Sequence, residues 1–84
     1  MYQVFWKKSA RDELALIWTE GDSSRRAAIT LAAAQIDAIL KNFPAELGES
    51  RESNRRIAFV PPVGLVYSVD EPDRRATVLH VWSY

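Results

Sequence analysis

Residues 24–43 read SRRAAITLAAAQIDAILKNF and contain the most regular hydrophobic pattern of the chain. Its apolar residues recur at steps of three and four, which is the period of a helix with one buried face. They are Ile29, Ala32, Ile36, Ile39, Leu40 and Phe43. Because Pro44 cannot continue a helix, the pattern predicts a helix from about Ser24 to Phe43. The alanines around this stripe are small enough to let a second helix pack closely against it.

The residues before this helix predict a strand and a first helix. Residues 2–7 read YQVFWK, an alternation that is typical of a strand with one strongly apolar face. Ser9 and Asp12 stand three residues apart, as in a capping box, and predict that a helix begins near Ala10. Leu14, Ile17 and Trp18 follow at helical spacing, so this first helix is expected to end near Glu20.

The connection between the two helices is short. Gly21 supplies a left-handed stop for the first helix, and Asp22, Ser23 or Ser24 can cap the second. A short connection between two amphipathic helices predicts a helical hairpin.

The remainder of the chain predicts a loop and three strands. Residues 45–54 are polar and include Gly48, which indicates a loop. Three runs rich in Val, Ile, Leu and aromatic residues follow, namely Arg55 to Val60, Val63 to Val69 and Ala76 to Ser83. Pro61 and Pro62 must lie in the first connection, and residues 71–73 form the second turn. The order βααβββ predicts one α+β domain over residues 1–84, with the helical hairpin on one face of a four-stranded, mainly antiparallel sheet.

Composition limits the function classes. The 84 residues are 48% hydrophobic, which is ample for one core. The absence of cysteine excludes disulfides, thiol catalysis and cysteine-ligated zinc, and it is compatible with a cytoplasmic location. We find no signal peptide, no membrane span and no motif for a metal or cofactor. Eleven basic and eleven acidic residues cancel, so attraction to a polyanion must come from a local patch.

Several strings, in this order and spacing, resemble the RelE/ParE toxins of bacterial type II toxin–antitoxin operons. They are the first strand leading through Ser9 and Ala10 into Leu14 and Trp18, RRAAI at 25–29 with ID at 36–37 and Leu40, the loop from Pro44 through Gly48 to Arg51, RI at 56–57 followed by LVYSV at 65–69, and VLHVW at 78–82. The resemblance spans nearly the whole chain. It implies a cytoplasmic, plasmid-stabilisation type toxin that a cognate antitoxin protein neutralises. Members of this superfamily either cleave mRNA on the ribosome or inhibit DNA gyrase, and some have no demonstrated target.

RNA cleavage through the 2′-hydroxyl requires a base, cations that stabilise the phosphorane, and an acid for the leaving oxygen. The candidates are Arg56, Tyr84 and His80 as catalytic residues and Arg51 and Arg55 as phosphate contacts, with Glu46 or Glu49 in addition. In YoeB-like members, a basic residue precedes the string similar to LVY and a His-Tyr pair closes the chain. Gly64 and Ser83 stand at those positions here, so the resemblance carries over only Tyr84 from that pair.

The residues leave several interpretations open. Arg55 and Arg56 point to opposite faces of a regular strand, so at most one lines a given cleft, either as a phosphate contact or as a solvating charge. His80 is either a proton-transfer group or a structural residue of its strand. Arg25 and Arg26 lie at a helix start, where the dipole disfavours cations, so they meet either an anionic partner or solvent. Trp18 and Trp82 are expected in core or interface packing.

Four functions therefore remain at this stage. The chain is a toxin whose main interaction is with its antitoxin, a ribosome-dependent endoribonuclease with an atypical site, a gyrase inhibitor, or an inactive remnant that acts only as an interaction module. Electroneutrality counts against the nuclease, because proteins that work within ribosomal RNA usually display many uncompensated cations. Oligomeric state does not follow from the sequence.

Overall fold

A computed structural model describes residues 1–50 and 54–84 and divides them into three helices and five strands. The helices are α1 (Lys8–Glu20), α2 (Ser23–Asn42) and the short α3 (Pro44–Leu47). The strands are β1 (Gln3–Trp6), β2 (Glu49–Ser50), β3 (Arg55–Val60), β4 (Val63–Asp70) and β5 (Arg75–Ser83). Within this part of the chain, no helix combines the length and the hydropathy that crossing a membrane requires.

All strands belong to one sheet in the order β1-β5-β4-β3-β2. Neighbouring strands are antiparallel except for β1, which runs parallel to β5 and pairs Gln3 with Arg75 and Trp6 with Val78. A parallel pair needs a crossover connection, and α1 and α2 lie within it. The predicted α+β arrangement is confirmed, with its helical hairpin on one face of a mainly antiparallel sheet.

The segment predicted as a loop from Ala45 to Asn54 contains regular structure where it is described. Pro44 starts α3, because the first turn of a helix does not need the amide hydrogen that proline lacks. The two-residue β2 then adds a fifth strand beside β3. Elements this short have no hydrophobic period, so the sequence pattern could not predict them.

The core lies between the helices and one face of the sheet. Ile29, Ile36 and Leu40 of α2 are buried against Leu65 and Tyr67 of β4, all at 0–1% exposure. The predicted stripe of α2 is therefore the core face. The prediction that Phe43 is the last residue of this stripe is wrong, because Phe43 follows the helix and its side chain is exposed.

Of the three helix-end features predicted from the sequence, the structure contains one and lacks two. Asp22 caps α2, and its Oδ1 accepts a hydrogen bond from the amide of Arg25 at 2.9 Å. The prediction that Ser9 starts α1 in a capping box is wrong, because α1 begins at Lys8 and Ser9 lies within its first turn. Gly21 is extended, with φ at −86°, and does not supply the left-handed stop that was expected.

A bulge in β5 decides which of its residues face the helices. Val66 pairs with His80, but Tyr67 pairs with Val78, so Leu79 is an extra residue. Val78 and Val81 are consequently both buried, although they stand three positions apart. Without this extra residue, alternation would place His80 on the same face as Val78.

Candidate functional site on the open face of the sheet

The sheet has one face against the helices and one face toward solvent, which we call the open face. Residues that the register places opposite one another lie in rows across it. The rows are Arg55, Ser68, Thr77 and Phe5, then Ile57, Val66 and His80, then Phe59, Gly64 and Trp82. Of the residues that the sequence suggested for function, this face holds Arg55, His80, Trp82 and Tyr84.

Three aromatic side chains cluster at one end of the open face, and we call them the aromatic row. The Phe59 ring lies 6.1 Å from the Trp82 ring and 5.5 Å from the Tyr84 ring, measured between centroids, and both pairs meet edge to face. Phe59 and Tyr84 are more than half exposed. Trp82 is thus neither a core residue nor an isolated surface residue.

Gly64 lies directly beneath Trp82. A Cβ at position 64 would lie 2.6 Å from Trp82 Cζ2, closer than real Cβ contacts allow. The sequence resemblance leads us to expect the basic residue of YoeB-like nucleases at this position. A cationic side chain there is incompatible with the present position of the indole ring.

Arg55 and Arg56 lie on opposite faces, as a regular strand predicts. Arg55 is exposed in a row of the open face. Arg56 pairs with the buried Tyr67, so it faces the helices, and its Nη1 donates to the carbonyl of Gly48 at 2.9 Å. The Arg56 guanidinium, a candidate catalytic residue in the sequence, therefore binds the main chain on the helix side of the sheet.

Tyr67 is a buried polar residue that sequence reasoning missed. Its hydroxyl donates to the carbonyl of Pro44 at 2.6 Å, and its side chain is fully buried. Burial raises the pKa of the Tyr67 phenol above its usual value, against opposing effects of Arg56 and the amide of Gly48. The signal in the sequence was a phenol at a core position of an otherwise aliphatic strand, because a buried hydroxyl requires a partner.

Tyr67 and Arg56 together hold both ends of the segment that contains α3. Tyr67 binds its first residue, and Arg56 binds the residue after its last. Gly48 packs so closely on the carbonyl of Ile57 that no Cβ fits there. The segment predicted as a solvated connection is fastened to the sheet up to Gly48.

His80 lies at the edge of β5 beyond the end of β1. Its Nδ1 is 3.6 Å from Glu13 Oε1, and the same oxygen accepts a hydrogen bond from the amide of Val81 at 3.1 Å. Glu13 therefore covers an outward main-chain donor of β5 and attaches α1 to this edge. Both side chains remain well exposed, which leaves the imidazole accessible to solvent.

Tyr84 and Arg56 lie on opposite sides of the sheet. Its ring contacts Phe59 on the open face, its amide donates to the carbonyl of Pro62, and its main-chain oxygen accepts from Arg25 Nη2 at 2.7 Å. Arg51 lies outside the described residues. The predicted catalytic set is thus divided, with His80 and Tyr84 on the open side and Arg56 on the helix side.

Hydrogen bonds to main-chain oxygens account for the arginines at the start of α2. Arg26 donates from Nε to the carbonyl of Trp18 and from Nη2 to that of Thr19, at 3.0 and 2.9 Å. Its guanidinium also lies 4.5 Å from the centroid of the Trp18 ring. Because the C-terminal end of α1 carries partial negative charge, the Arg26 guanidinium stabilises that end of the helix. With Arg25 bound to Tyr84, neither arginine requires an anionic partner.

A second surface is an apolar groove between α1 and α2, with a volume of about 310 Å³. Leu14 and Trp18 line it from one helix, and Ile29 and Ala33 line it from the other. Its only charged lining residue among the described positions is Arg11. Trp18 Nε1 donates to Thr30 Oγ1 at 3.2 Å, which links the two sides of the groove.

The open face contains only part of what RNA cleavage requires. Arg55 on β3 and His80 on β5 are separated by the whole of β4, and two strand spacings amount to about 10 Å. Within residues 1–50 and 54–84, no group of His, Asp and Glu is placed to hold a metal ion. The described part of this face includes the guanidinium groups of Arg55 and Arg75, one imidazole, and a phenol beside two further aromatic rings.

Comparisons with known proteins identify the fold. No model of a protein family and no curated protein sequence matches the chain. Solved structures match it over its full length. A chain of the RelBE2 toxin–antitoxin complex from Mycobacterium tuberculosis superposes with a TM-score of 0.76 at 20% identity, covering 99% of this chain and 91% of that one.

Two further solved structures superpose on nearly the whole chain. A chain of the chromosomal ParDE system from Pseudomonas aeruginosa gives a TM-score of 0.77 at 15% identity, with 99% and 96% coverage. The intact RelBE toxin–antitoxin complex from Escherichia coli gives 0.67 at 17% identity, with 100% and 98% coverage. Two helices packed on a mixed sheet, in this order and over this length, give the chain the fold of these RelE- and ParE-type structures.

Proposed function

We propose that this chain is the toxin of a type II toxin–antitoxin pair and that a cognate antitoxin protein neutralises it in the cytoplasm. The observation that carries the proposal is the agreement in fold over 99% of this chain with chains from the RelBE2 and ParDE systems. Because one fold can host several activities, the surface residues must supply the rest of the argument.

The helical side of the molecule supports a protein partner. Leu16, Leu31 and Phe43 are each about 60% exposed, and the groove between α1 and α2 exposes the Trp18 ring. Large apolar side chains gathered on one side of a small protein favour docking of a partner segment. An antitoxin that covers this side would bury them.

The open face favours a toxin that does not cleave RNA. Trp82 occupies the space above Gly64, and Arg56 is bound to Gly48 on the other face. The overall neutrality of the chain also disfavours a site within ribosomal RNA. We therefore place inhibition of DNA gyrase, or of translation without cleavage, ahead of the ribosome-dependent nuclease.

One observation favours the nuclease as a second candidate. His80 is exposed with Glu13 beside it, and Arg55 and Tyr84 lie on the same side of the sheet. An imidazole next to a carboxylate is a common arrangement for proton transfer. In this alternative His80 is the acid or base, Tyr84 is the terminal phenol and Arg55 is the phosphate contact, with Arg51 as a further cation and Arg56 as an indirect support.

The first experiment is controlled expression of the chain in bacteria, alone and together with the neighbouring open reading frame. We expect growth arrest with the chain alone, relief by the neighbour, and co-purification of the two proteins. A premature stop codon in the chain is the control for the burden of expression. Growth that is unaffected by the chain, together with no stable complex, would contradict the proposal.

The second experiment separates the targets. Primer extension on ribosome-bound mRNA is expected to show no cleavage at codons, and a supercoiling assay with purified gyrase tests the other target. Strong codon cleavage that His80→Ala abolishes would establish the nuclease in its place. A protein that binds its neighbour but has neither effect would be an interaction module.

A further inference from the structure

The open face contains a second feature at the opposite end from the aromatic row. Phe5 of β1 and Arg75 and Thr77 of β5 line a depression of about 380 Å³, and we call it the Phe5 pocket. Phe5 is nearly half exposed although it belongs to a strand.

Arg75 is held over the Phe5 ring, with its guanidinium carbon 5.2 Å from the ring centroid. The register places Asp70 directly opposite Arg75 on β4, but Asp70 Oδ1 accepts the amide of Asp73 within the turn. Among the described residues, no carboxylate lies within 4.0 Å of the Arg75 guanidinium. Stacking on an aromatic face orders the side chain and leaves its donors free to bind a ligand.

The chemistry of this pocket matches a carboxylate next to an apolar group. A guanidinium presents two parallel donors to the two oxygens of a carboxylate, and Thr77 lines the same depression. The exposed Phe5 ring offers an apolar surface beside that charge. A doubly charged phosphate would favour a second cation, and none lines the pocket among the described residues.

The position of the pocket favours a polypeptide as the source of that carboxylate. β1 is the edge strand of the sheet, so within the part of the chain that the structure describes the main-chain groups of Val4 and Trp6 on its outer side have no strand partner. An extended segment that runs along β1 places alternate side chains beside Phe5 at cross-strand distance. One of these side chains can reach Arg75.

We propose that the Phe5 pocket binds an acidic side chain of an extended segment from a protein partner, through Arg75 and the Phe5 ring. The inference rests on the proposed function only in naming the antitoxin as the natural source of this segment. The pocket lies on the opposite face from the groove between α1 and α2. A partner that uses both surfaces must therefore pass around the edge of the sheet at β1.

The test measures binding without the antitoxin, so that failure of the inference and failure of the proposed function are distinguishable. The protein, labelled with nitrogen-15, is titrated with a capped tetrapeptide of alternating glutamate and valine while the Nε–Hε signals of its arginines are followed. We expect a saturable shift at Arg75 and a much smaller change at Arg74, which lies over the Tyr2 ring outside the pocket.

Matched variants complete the test. Arg75→Gln is expected to weaken the peptide about tenfold, whereas Arg74→Gln leaves the affinity unchanged. Phe5→Leu keeps an apolar side chain, removes the aromatic face, and weakens binding to an intermediate degree. Equal shifts at Arg74 and Arg75, or an Arg75→Gln variant that binds as tightly as the wild type, would overturn the proposal. A stronger response to inorganic phosphate than to the peptide would replace the acidic segment by a phosphate ligand.

Discussion

Trp82 lies across Gly64 on the open face of the sheet, and three atoms of its indole ring occupy the space that a Cβ at position 64 would need. The two residues stand opposite each other in the register of β4 and β5. Phe59 closes the same row with an edge-to-face contact to the indole ring. The position of the indole ring therefore requires glycine at residue 64, where the sequence resemblance leads us to expect the cation of YoeB-like nucleases.

Replacing Gly64 with alanine is expected to lower the free energy of unfolding by about 1–3 kcal/mol, because the added methyl group displaces the Trp82 ring. Urea denaturation followed by circular dichroism measures this loss. Gly21→Ala is the control, because the atom nearest to its Cβ would be Arg25 Cβ at 3.2 Å, a contact that needs a shift of only a few tenths of an ångström.

A double-mutant cycle makes this prediction specific to the pair. In a Trp82→Ala background the clash is absent, so Gly64→Ala should cost less than half of what it costs in the wild type. An equal loss in both backgrounds would show that the strand itself, and not the indole ring, requires glycine at this position.

Local signals in the sequence predicted the elements with long patterns. β3 runs from Arg55 to Val60 as expected, because alternation and the following prolines are both encoded within a few residues. The ends of α2 differ by one residue from the prediction, since its apolar stripe and Pro44 bound it on both sides. For β3, simple alternation predicted that Arg55 and Arg56 occupy opposite faces, but it did not predict which of them faces the helices.

Features that depend on contacts distant in sequence could not be predicted. The bulge at Leu79 arises from how β5 packs on β4, and it moves His80 to the open side. Arg56 binds Gly48 only because the short α3 segment lies over the sheet. The sequence therefore predicted the residue types of the candidate site. It did not predict which side of the sheet Arg56 faces.

Arg26 is expected to stabilise the helical hairpin through two main-chain carbonyls and the Trp18 ring. Arg26→Ala should lower the free energy of unfolding by about 1–2 kcal/mol, because it removes two hydrogen bonds and a cation–π contact that remain partly hydrated. Thermal unfolding measures this change. Arg55→Ala provides the comparison, since Arg55 is an exposed residue of the open face.

The Trp18 ring offers a second readout for the same variant. Loss of the guanidinium changes the surroundings of the indole, so the emission of Trp18 should shift in Arg26→Ala, with Trp6 and Trp82 replaced by phenylalanine. Arg26→Lys keeps the charge but cannot bridge two carbonyls in the same way, so it should recover only part of the stability. Full recovery by lysine would show that charge alone, acting on the end of α1, accounts for the effect.

Tyr67 should make stability depend on pH in the alkaline range. Burial raises the pKa of its phenol in the folded protein, so the folded state holds this proton more tightly than the unfolded chain. The resulting stabilisation is complete below the unfolded pKa of about 10 and is lost as the pH rises through the folded pKa. Urea denaturation at a series of pH values from neutral to alkaline should show this decline.

The Tyr67→Phe variant separates the two contributions of this residue. It removes the hydrogen bond to the carbonyl of Pro44, and we expect a loss of about 1–2 kcal/mol at neutral pH. It should also flatten the alkaline decline. Tyr2→Phe is the comparison, because the pKa of Tyr2 is also raised, chiefly by a hydrogen bond to Glu71 at the surface, so this variant measures the share of the decline that belongs to Tyr2. A decline that persists unchanged in Tyr67→Phe would assign the alkaline transition to other groups.

The two sides of α2 should respond in opposite ways to the same substitution. Ile36 is fully buried, so Ile36→Asp places an unpaired carboxylate in the core and is expected to cost roughly 4 kcal/mol or more, which leaves little or no folded protein. Leu31 is 60% exposed on the same helix, and Leu31→Asp should change the free energy of unfolding by less than about 1 kcal/mol. Circular dichroism and urea denaturation decide both cases.

If the exposed side of α2 receives the antitoxin, Leu31→Asp should also weaken co-purification with the neighbouring gene product while remaining folded. A variant that folds and binds like the wild type would move the partner away from this face, and a cooperatively folded Ile36→Asp protein would contradict the assignment of the core.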